Sequence, residues 1–368
     1  MRGRKGGGQK KSELPTPTRQ LRERWKQEQL ALKRKLILED TFDWSLEDGR
    51  DGRPPLSLVG GVDISFIKDD PVNACASLVV LSYPQLKVVY KDFQMVELRQ
   101  PYIAGFLAFR EVPHLVPLFD KLRRTSPELV PQLVFVDGNG ILHPRGFGLA
   151  CHLGVLTDIP MIGVGKTFLF VDGMELKDVK RRFRQHCHKA GHAVELVGKS
   201  GASWGAALRS TDDTTSPIFV SPGHRVSLET ALQLSIACSK FRIPEPIRKA
   251  DLLSRDYIRQ LSVSPSGSAA AAGSSSASPS SSHTSATSSS SSSPVSSSSL
   301  LTSTPPVSSF SVAPSAGVAS RTWASIVSRD QKNKAGASVA DPYAIPSGIA
   351  NLAATPSWAA ISSPAPFK

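Results

Sequence analysis

Three carboxylates on separate predicted elements are the residues of this sequence best suited to chemistry. Asp63 interrupts an otherwise small or apolar strand face, Glu111 falls on an apolar helical stripe, and Asp137 ends a short apolar run. A carboxylate on a buried face costs several kcal/mol unless it is protonated, paired with a cation or bound to metal. Mg²⁺ and Mn²⁺ prefer carboxylate oxygens, and such an ion activates water for attack on a phosphate. Asp63, Glu111 and Asp137 are therefore a candidate divalent metal site, although linear order does not prove that they converge.

Three basic or titratable residues extend this candidate site. Lys166 ends the second buried strand, Arg145 lies in the loop after Asp137, and His224 precedes a predicted helix that Ser227 caps. Cations at these places suit phosphate oxygens, and a histidine can move protons at neutral pH. Two of the candidate residues also have a plainer interpretation. Asp137 precedes Gly138, and an Asp before Gly often opens a turn or caps a helix. His224 precedes a predicted helix, and a His there is often a capping or surface residue.

Gly165-Lys166-Thr167 resembles the end of a phosphate-binding loop, but that motif requires Gly five residues before Gly165, where this chain has Pro160. Nucleotide hydrolysis by that route is excluded.

The elements that must position these residues follow a mixed pattern. Three strands are predicted before any long helix, and strands alternate with helices afterwards. This pattern predicts an α/β fold with a mixed β-sheet flanked by helices and an antiparallel edge. The predicted strands are 56–67, 74–81, 86–93, 133–137, 160–164, 194–197, 204–208 and 218–220, and the last helix, 247–261, contains Asp251.

Two helices are predicted from apolar spacing. Leu107, Glu111, Leu115, Leu118 and Leu122 form one stripe within 101–122, and Pro113 predicts either a kink or a later start. In the second helix Thr18 is the expected N-cap, and the apolar positions at helical spacing are Leu21, Trp25, Leu32 and Leu36.

Composition divides the 368 residues into one globular domain, 18–261, a basic arm, 1–17, and a tail, 262–368. The tail is rich in Ser, Ala, Pro and Thr, so we expect it to be disordered, and 321–327 is a candidate partner-binding motif. Residues 1–35 hold twelve basic and three acidic side chains out of a net charge of +13. Such an arm suits a polyanionic partner, and it equally fits a solvated tail or a nuclear-targeting run.

The four cysteines are widely separated, which indicates neither a zinc site nor a disulfide framework and favours a reducing compartment. No apolar run is long enough to cross a bilayer, so we expect a soluble protein with no membrane partner.

Five motifs, in order, resemble those of the endonuclease V family over about residues 20–260. They are GVDISF at 61–66, PYIAGFLAFRE at 101–111, VDGNGILHPRGFG at 136–148, IGVGK at 162–166 and SPGHRVSLETAL at 221–232. The resemblance implies an RNase H-like fold and cleavage at the second phosphodiester bond 3′ to inosine, leaving 3′-hydroxyl and 5′-phosphate ends.

The resemblance also implies roles for individual residues. Asp63, Glu111 and Asp137 match the metal-binding carboxylates, Lys166 a lysine near the reacting phosphate, and His224 an active-site histidine that we assign to the attacking water. Tyr102 matches the aromatic residue of a wedge that props the strand apart, and its plainer interpretation is a buried aromatic at a helix start. Bacterial members commonly have Pro where this chain has Ala104, which bears on the stiffness of the wedge. Gly105, Leu107 and Gly138 match residues that line the family's base pocket, and the plainer interpretation of the two glycines is that they belong to turns.

Eukaryotic members of that family favour inosine in single-stranded RNA, and the Ser-rich tail looks eukaryotic. We therefore expect a monomeric endoribonuclease using Mg²⁺, with Mn²⁺ as a substitute, that retains activity on deoxyinosine DNA. The alternatives are a DNA-repair endonuclease and a non-catalytic inosine-RNA adaptor. The expected location is the cytoplasm and nucleus, including the nucleolus, and the tail is expected to bind protein partners.

Overall fold

The computed structural model describes residues 17–46 and 52–263, and within these residues eight strands form one mixed sheet in the order β3-β2-β1-β4-β5-β8-β7-β6. The strands are β1 (Leu58–Phe66), β2 (Asn73–Ser82), β3 (Val88–Glu97), β4 (Leu133–Asp137), β5 (Met161–Gly165), β6 (Ala193–Val197), β7 (Ser203–Leu208) and β8 (Ile218–His224). The helices are α1 (Arg19–Lys33), α2 (Ala108–Thr125), α3 (Leu149–Thr157), α4 (Leu176–His186), α5 (Leu228–Ala237) and α6 (Glu245–Val263).

Strand directions fix where the strand ends lie. β1 pairs with β2, and β2 with β3, as antiparallel neighbours, whereas β1, β4 and β5 are mutually parallel. β8 runs antiparallel to β5 and continues the sheet through β7 and β6. The predicted fold class, a mixed sheet flanked by helices with an antiparallel edge, is confirmed.

Helices cover both faces of the central strands. The main core lies where α2 and α3 pack on one face, and its strand positions include Val62, Leu78, Val134 and Val136. α6 packs on the opposite face of β1 and β2. The apolar run without alternation in β4 therefore has the cause that the sequence suggests, which is burial on both faces.

α2 begins at Ala108, inside the segment predicted to be helical, and Pro113 does not set this start because it lies five residues further along the helix. Residues 101–107 form an irregular segment in which Gly105 has φ of +79°, a conformation that a side chain disfavours. Glu111 and the leucines after it lie on the buried face as predicted, and Pro113 and Pro117 both lie inside the helix.

The N-terminal helix has the predicted cap, because the Thr18 hydroxyl accepts a hydrogen bond from the Leu21 amide at 3.1 Å. Trp25 is buried and stacks on Phe109 with ring centroids 5.0 Å apart. The helix ends at Lys33, so the prediction that Leu36 continues its stripe was wrong.

In the described part of the chain, no helix is both long enough and apolar enough to cross a membrane. The predictions for the arm at 1–17 and for the tail beyond 263 lie outside the described residues, apart from Pro17 itself.

Candidate active site

Asp63 and Asp137 meet because their strands are parallel neighbours. Val62 pairs with Val136, so the next residue of each strand stands at the same level, on the sheet face opposite the main core. The Ser65 hydroxyl donates to Asp63 Oδ2 at 3.1 Å. Burial, followed by the charge of Asp137 and a hydrogen bond shared with it, raises the pKa of Asp63 to about 7.

Glu111 lies in the first turns of α2, near Asp63 and Asp137, and is only 7% exposed. Burial, then the charges of Asp63 and Asp137, raises its pKa to about 8. The neighbouring Arg110 does not pair with this carboxylate. Its guanidinium instead donates to the Pro71 carbonyl and lies 5.7 Å from the centre of the Phe66 ring.

Asp251 on α6 is a fourth carboxylate that the sequence analysis did not assign to the site. It lies close enough to raise the pKa of Asp63, and Arg255 donates to its Oδ1 at 2.6 Å. A signal was present in the sequence. Ile247, Ala250 and Ser254 form a buried stripe on α6, and Asp251 belongs to that stripe by helical spacing.

Lys166 follows β5 and supplies the cation of the cluster. Its ammonium donates to Asp137 Oδ2. Burial lowers the pKa of Lys166, but Asp137, Asp63 and Asp251 outweigh burial and leave it raised. Lys166 therefore stays protonated, and its charge favours the ionised form of Asp63.

The residues present fit a divalent cation by their chemistry. Asp63, Asp137 and Asp251 surround Lys166, and Glu111 adjoins Asp63 and Asp137. Burial, together with the mutual repulsion of these carboxylates, raises the pKa values of Asp63 and Glu111, and a divalent cation would relieve that repulsion. Hard divalent cations take such all-oxygen sets. No three His, Cys, Asp or Glu side chains of the described residues are already grouped closely enough to hold an ion together, so the ligand set Asp63, Glu111 and Asp137 stays a prediction.

An open cleft of about 680 Å³ adjoins this cluster and shares Glu111 with it. Tyr102 stands at the cleft with 64% of its surface exposed, so its interpretation as a buried aromatic was wrong. Leu107 and Phe66 also line the cleft, and Phe66 is 45% exposed. Two exposed aromatic side chains in a cleft that also contains Glu111 suit a nucleobase better than they suit a free anion.

The Gly105 carbonyl and the Gly138 amide both make hydrogen bonds within the protein. The Gly105 carbonyl accepts from His143 Nε2 at 3.0 Å and from the Arg145 guanidinium, and the Gly138 amide donates to the Val164 carbonyl at 3.2 Å. These two groups are therefore not free to read a base, although the segments that carry them border the cleft and the cluster.

Arg145 is directed into the fold and not toward a phosphate. Its Nε donates to Gln29, its Nη2 donates to Gly105, and its guanidinium lies 4.0 Å from the centre of the Phe106 ring. The prediction of Arg145 as a free phosphate contact is corrected, because these contacts make it a brace between α1 and the segment that carries Tyr102.

His224 and Asp137 lie toward opposite ends of β5, the strand between them. Met161 pairs with His224 and Val164 pairs with Asp137, so His224 is displaced three residues along β5, roughly 10 Å. It is 3% exposed, accepts from the Ile37 amide at 3.4 Å and contacts Asp158 at 3.4 Å. The prediction that His224 acts on the attacking water was wrong, because β8 runs antiparallel to β4 and carries its last residue away from the carboxylates.

Comparison with known proteins gives one consistent result. A sequence model described as Endonuclease V matches residues 40–252. Endonuclease V of Mus musculus is 54% identical over 246 residues, which cover 66% of this chain and 72% of that protein.

Solved structures agree with the sequence matches. The catalytic domain of human Endonuclease V is 49% identical, with a TM-score of 0.64, and the match covers 68% of this chain and 100% of that one. A Ciona intestinalis Endonuclease V in complex with a 23mer DNA containing an inosine followed by a ribo-adenosine is 33% identical, with a TM-score of 0.61 over 67% of this chain and 100% of that one. With its carboxylate cluster and matching fold, this chain belongs to the Endonuclease V family of metal-dependent, phosphodiester-cleaving nucleases.

Proposed function

We propose that this protein cleaves the second phosphodiester bond 3′ to inosine, with Mg²⁺ as its metal and single-stranded RNA as its preferred substrate. The observation that carries the proposal is the juxtaposition of two features. A cleft lined by Tyr102 and Leu107 opens directly onto a cluster of carboxylates that includes Glu111. One feature suits a base and the other suits the metal-assisted hydrolysis of a phosphate.

Asp63, Glu111, Asp137 and Asp251 are the residues that would hold Mg²⁺, and Lys166 would contact the oxygens of the reacting phosphate. Bound Mg²⁺ supplies a water of lowered pKa and neutralises charge on the phosphate, and Mn²⁺ can replace it. Tyr102, exposed at the cleft, would stack between bases and hold the strand open.

Inosine as the recognised base is supported by the Ciona complex, whose DNA contains an inosine followed by a ribo-adenosine. Hypoxanthine offers O6 and N1–H where adenine offers an amino group and an N1 acceptor. A pocket with backbone donors and acceptors distinguishes these two patterns.

Matched single-stranded oligonucleotides test the proposal. Initial cleavage rates are measured on RNA and on DNA of one sequence, each with a single inosine and Mg²⁺, and the ends of the products are mapped. We expect cleavage at the second phosphodiester bond 3′ to inosine, and we expect the initial rate to be higher on RNA than on DNA. A large advantage for DNA would favour a deoxyinosine-repair endonuclease, the rival that the DNA of the Ciona complex supports.

An Asp63→Ala variant separates the enzyme from a non-catalytic adaptor. The enzyme interpretation requires the variant to lose cleavage and to keep binding of the inosine oligonucleotide. Absence of cleavage by the wild-type protein, with binding intact, would support the adaptor.

We also propose a monomer in the cytoplasm and nucleus, whose tail binds protein partners. The four cysteines, Cys75, Cys151, Cys187 and Cys238, are free and buried, which suits a reducing compartment. Light scattering and imaging of a tagged full-length chain test the oligomeric state and the location.

A further inference from the structure

Phe241 is an exposed aromatic residue that the proposed mechanism does not use. It lies between α5 and α6, and 54% of its surface is exposed. One face of its ring is covered, because the Arg248 guanidinium carbon lies 4.3 Å from the ring centre. The ring therefore presents its other face at the surface.

The Phe241 ring is held in place because Arg248, which covers one of its faces, is itself hydrogen-bonded to Glu245. Glu245, 3% exposed, accepts from Arg248 Nε at 2.6 Å and from Nη2 at 3.4 Å. A guanidinium held by a buried carboxylate keeps a constant orientation, so the Phe241 ring is supported as a flat platform.

This platform adjoins the carboxylate cluster on two sides. Arg248 and Asp251 are three residues apart on α6, which places them as neighbours on one helix face. On the other side, Arg242 donates to the Lys166 carbonyl at 2.9 Å and to the Pro217 carbonyl at 2.8 Å. A strand whose phosphate lies at Lys166 would thus pass close to Phe241.

The charge around the platform selects the class of ligand. Residues 240–255 contain five basic and two acidic side chains, and both acidic ones, Glu245 and Asp251, are paired with arginines. An apolar partner would gain nothing from this charge. A nucleotide uses both features, because its base stacks on an aromatic ring and its phosphate attracts basic side chains.

We propose that Phe241, backed by Arg248, is a stacking site for one unpaired base of the single-stranded substrate, adjacent to the scissile phosphate. This site rests on the proposed function, since it names where a nucleotide other than inosine is held. Its chain neighbour Arg242 contacts the Lys166 carbonyl, and Arg248, which backs the ring, lies about one helical turn from Asp251, whereas Tyr102 lies at the cleft beside Glu111.

Binding measurements in the cleavage-deficient Asp63→Ala full-length chain test the site. Fluorescence anisotropy with a labelled single-stranded inosine RNA is compared for Phe241→Ala, Phe241→Leu and Phe241→Trp. We expect affinity to fall about tenfold for Ala and Leu and to change less than about threefold for Trp, because stacking requires a π-face and not bulk alone. Equal affinities for Phe and Ala, or full affinity for Leu, would overturn the site.

A scan of abasic nucleotides identifies the stacked base. Each base near the inosine is removed in turn, and binding is measured with and without Phe241→Ala. At one position the loss from the abasic nucleotide and the loss from Phe241→Ala should not add. Additive losses at every position would overturn the proposal, because the ring would then contact no base. Thermal unfolding of each variant excludes misfolding as the cause.

Failure of the proposed function gives a different result. If the wild-type chain cleaves no inosine RNA while anisotropy still depends on an aromatic ring at 241, the stacking site stands and the assigned activity falls. If cleavage is normal and binding ignores position 241, the stacking site falls alone.

Discussion

Asp251 shows what one carboxylate on a neighbouring helix adds to the pair on the strands. It lies near Asp63 and Lys166, whose pKa values it raises, and its own partner is Arg255. Its charge therefore counts toward the negative field in which a divalent ion would bind. Because Arg255 holds the side chain, Asp251 is oriented before any ion arrives.

Asp251→Asn should lower the apparent affinity for Mg²⁺ by about 10- to 100-fold, because one anionic oxygen is lost at the site. Asp256→Asn is the matched control, since Asp256 lies on the same helix, pairs with Arg259 and is 46% exposed. Cleavage rates are measured against Mg²⁺ concentration for both variants. Unchanged metal dependence for Asp251→Asn, or an equal effect for Asp256→Asn, would remove Asp251 from the site.

His224 provides the opposite case, a residue of suggestive type that serves the fold. Burial lowers the pKa of His224 although Asp158 opposes this, so the neutral ring accepts at Nδ1 from Ile37 and donates at Nε2 to Asp158. It thereby joins Ile37 to Asp158 at the end of α3.

His224→Gln should lower stability by about 1–3 kcal/mol, since buried polar groups lose partners. This corresponds to a fall in Tm of about 5 °C for a domain of this size. The turnover of the folded enzyme should change less than about threefold. Loss of turnover without loss of Tm would return His224 to the chemistry.

At the level of elements, α6 packs so close to β1 that the contact requires a glycine at position 61. A Cβ added at Gly61 would stand 2.1 Å from the Pro246 carbonyl oxygen, which is backbone and cannot rotate away. Gly61 therefore sets how near α6, and with it Asp251, comes to Asp63.

Gly61→Ala should displace α6 and reduce turnover by about tenfold or more, because small misplacements of catalytic groups are costly. Gly60→Ala is the control. Its Cβ would meet side-chain atoms of Pro131 and Val134, at 2.9 and 3.0 Å, on the other face of the same strand. Both variants should lose about 1–3 kcal/mol of stability. Equal turnover in the two variants would show that the contact with α6 does not position the site.

Local patterns predicted most elements, and the errors arose where long-range contacts decide. The β1–β3 meander and the buried β4 follow from residue spacing within each segment. β8 continues through Pro222 and Gly223, which usually mark a turn, because a register shift between Met161 and Ile162 accommodates them.

The same limit applies to the site. Asp63, Glu111 and Asp137 stood out because each interrupts an apolar pattern of its own element. The displacement of His224 follows from the direction of β8, and strand direction is not written in any local pattern. Arg145 likewise looked free, because its partners Gln29 and Gly105 are distant in sequence.

For the whole molecule, the carboxylate cluster links stability to pH and to metal. The folded state raises the pKa of Glu111 from 4.5 to about 8 and that of Asp63 from 3.8 to about 7. A carboxyl with a raised folded pKa stabilises the fold fully at pH values below its unfolded pKa. That contribution is lost as pH rises through the folded pKa, because the unfolded state releases its proton first. Without metal, the cluster should therefore destabilise the fold progressively between about pH 4 and pH 8.

Glu111→Gln removes one of these charges. We expect the variant to be more stable than the wild type without metal and to gain less stability than the wild type when Mg²⁺ is added. At about pH 8 with a chelator, the variant should have a Tm roughly 8–16 °C above the wild type, since the loss on the order of 4 kcal/mol is avoided. With excess Mg²⁺ the wild type should gain Tm by binding the ion, whereas the variant, lacking that oxygen anion, should gain little. At about pH 5 in chelator the two proteins should differ by less, because Glu111 is protonated when folded. A chelated variant no more stable than the wild type at pH 8 would show that Glu111 is not under electrostatic strain in the fold, and equal gains from Mg²⁺ would show that it does not hold the ion.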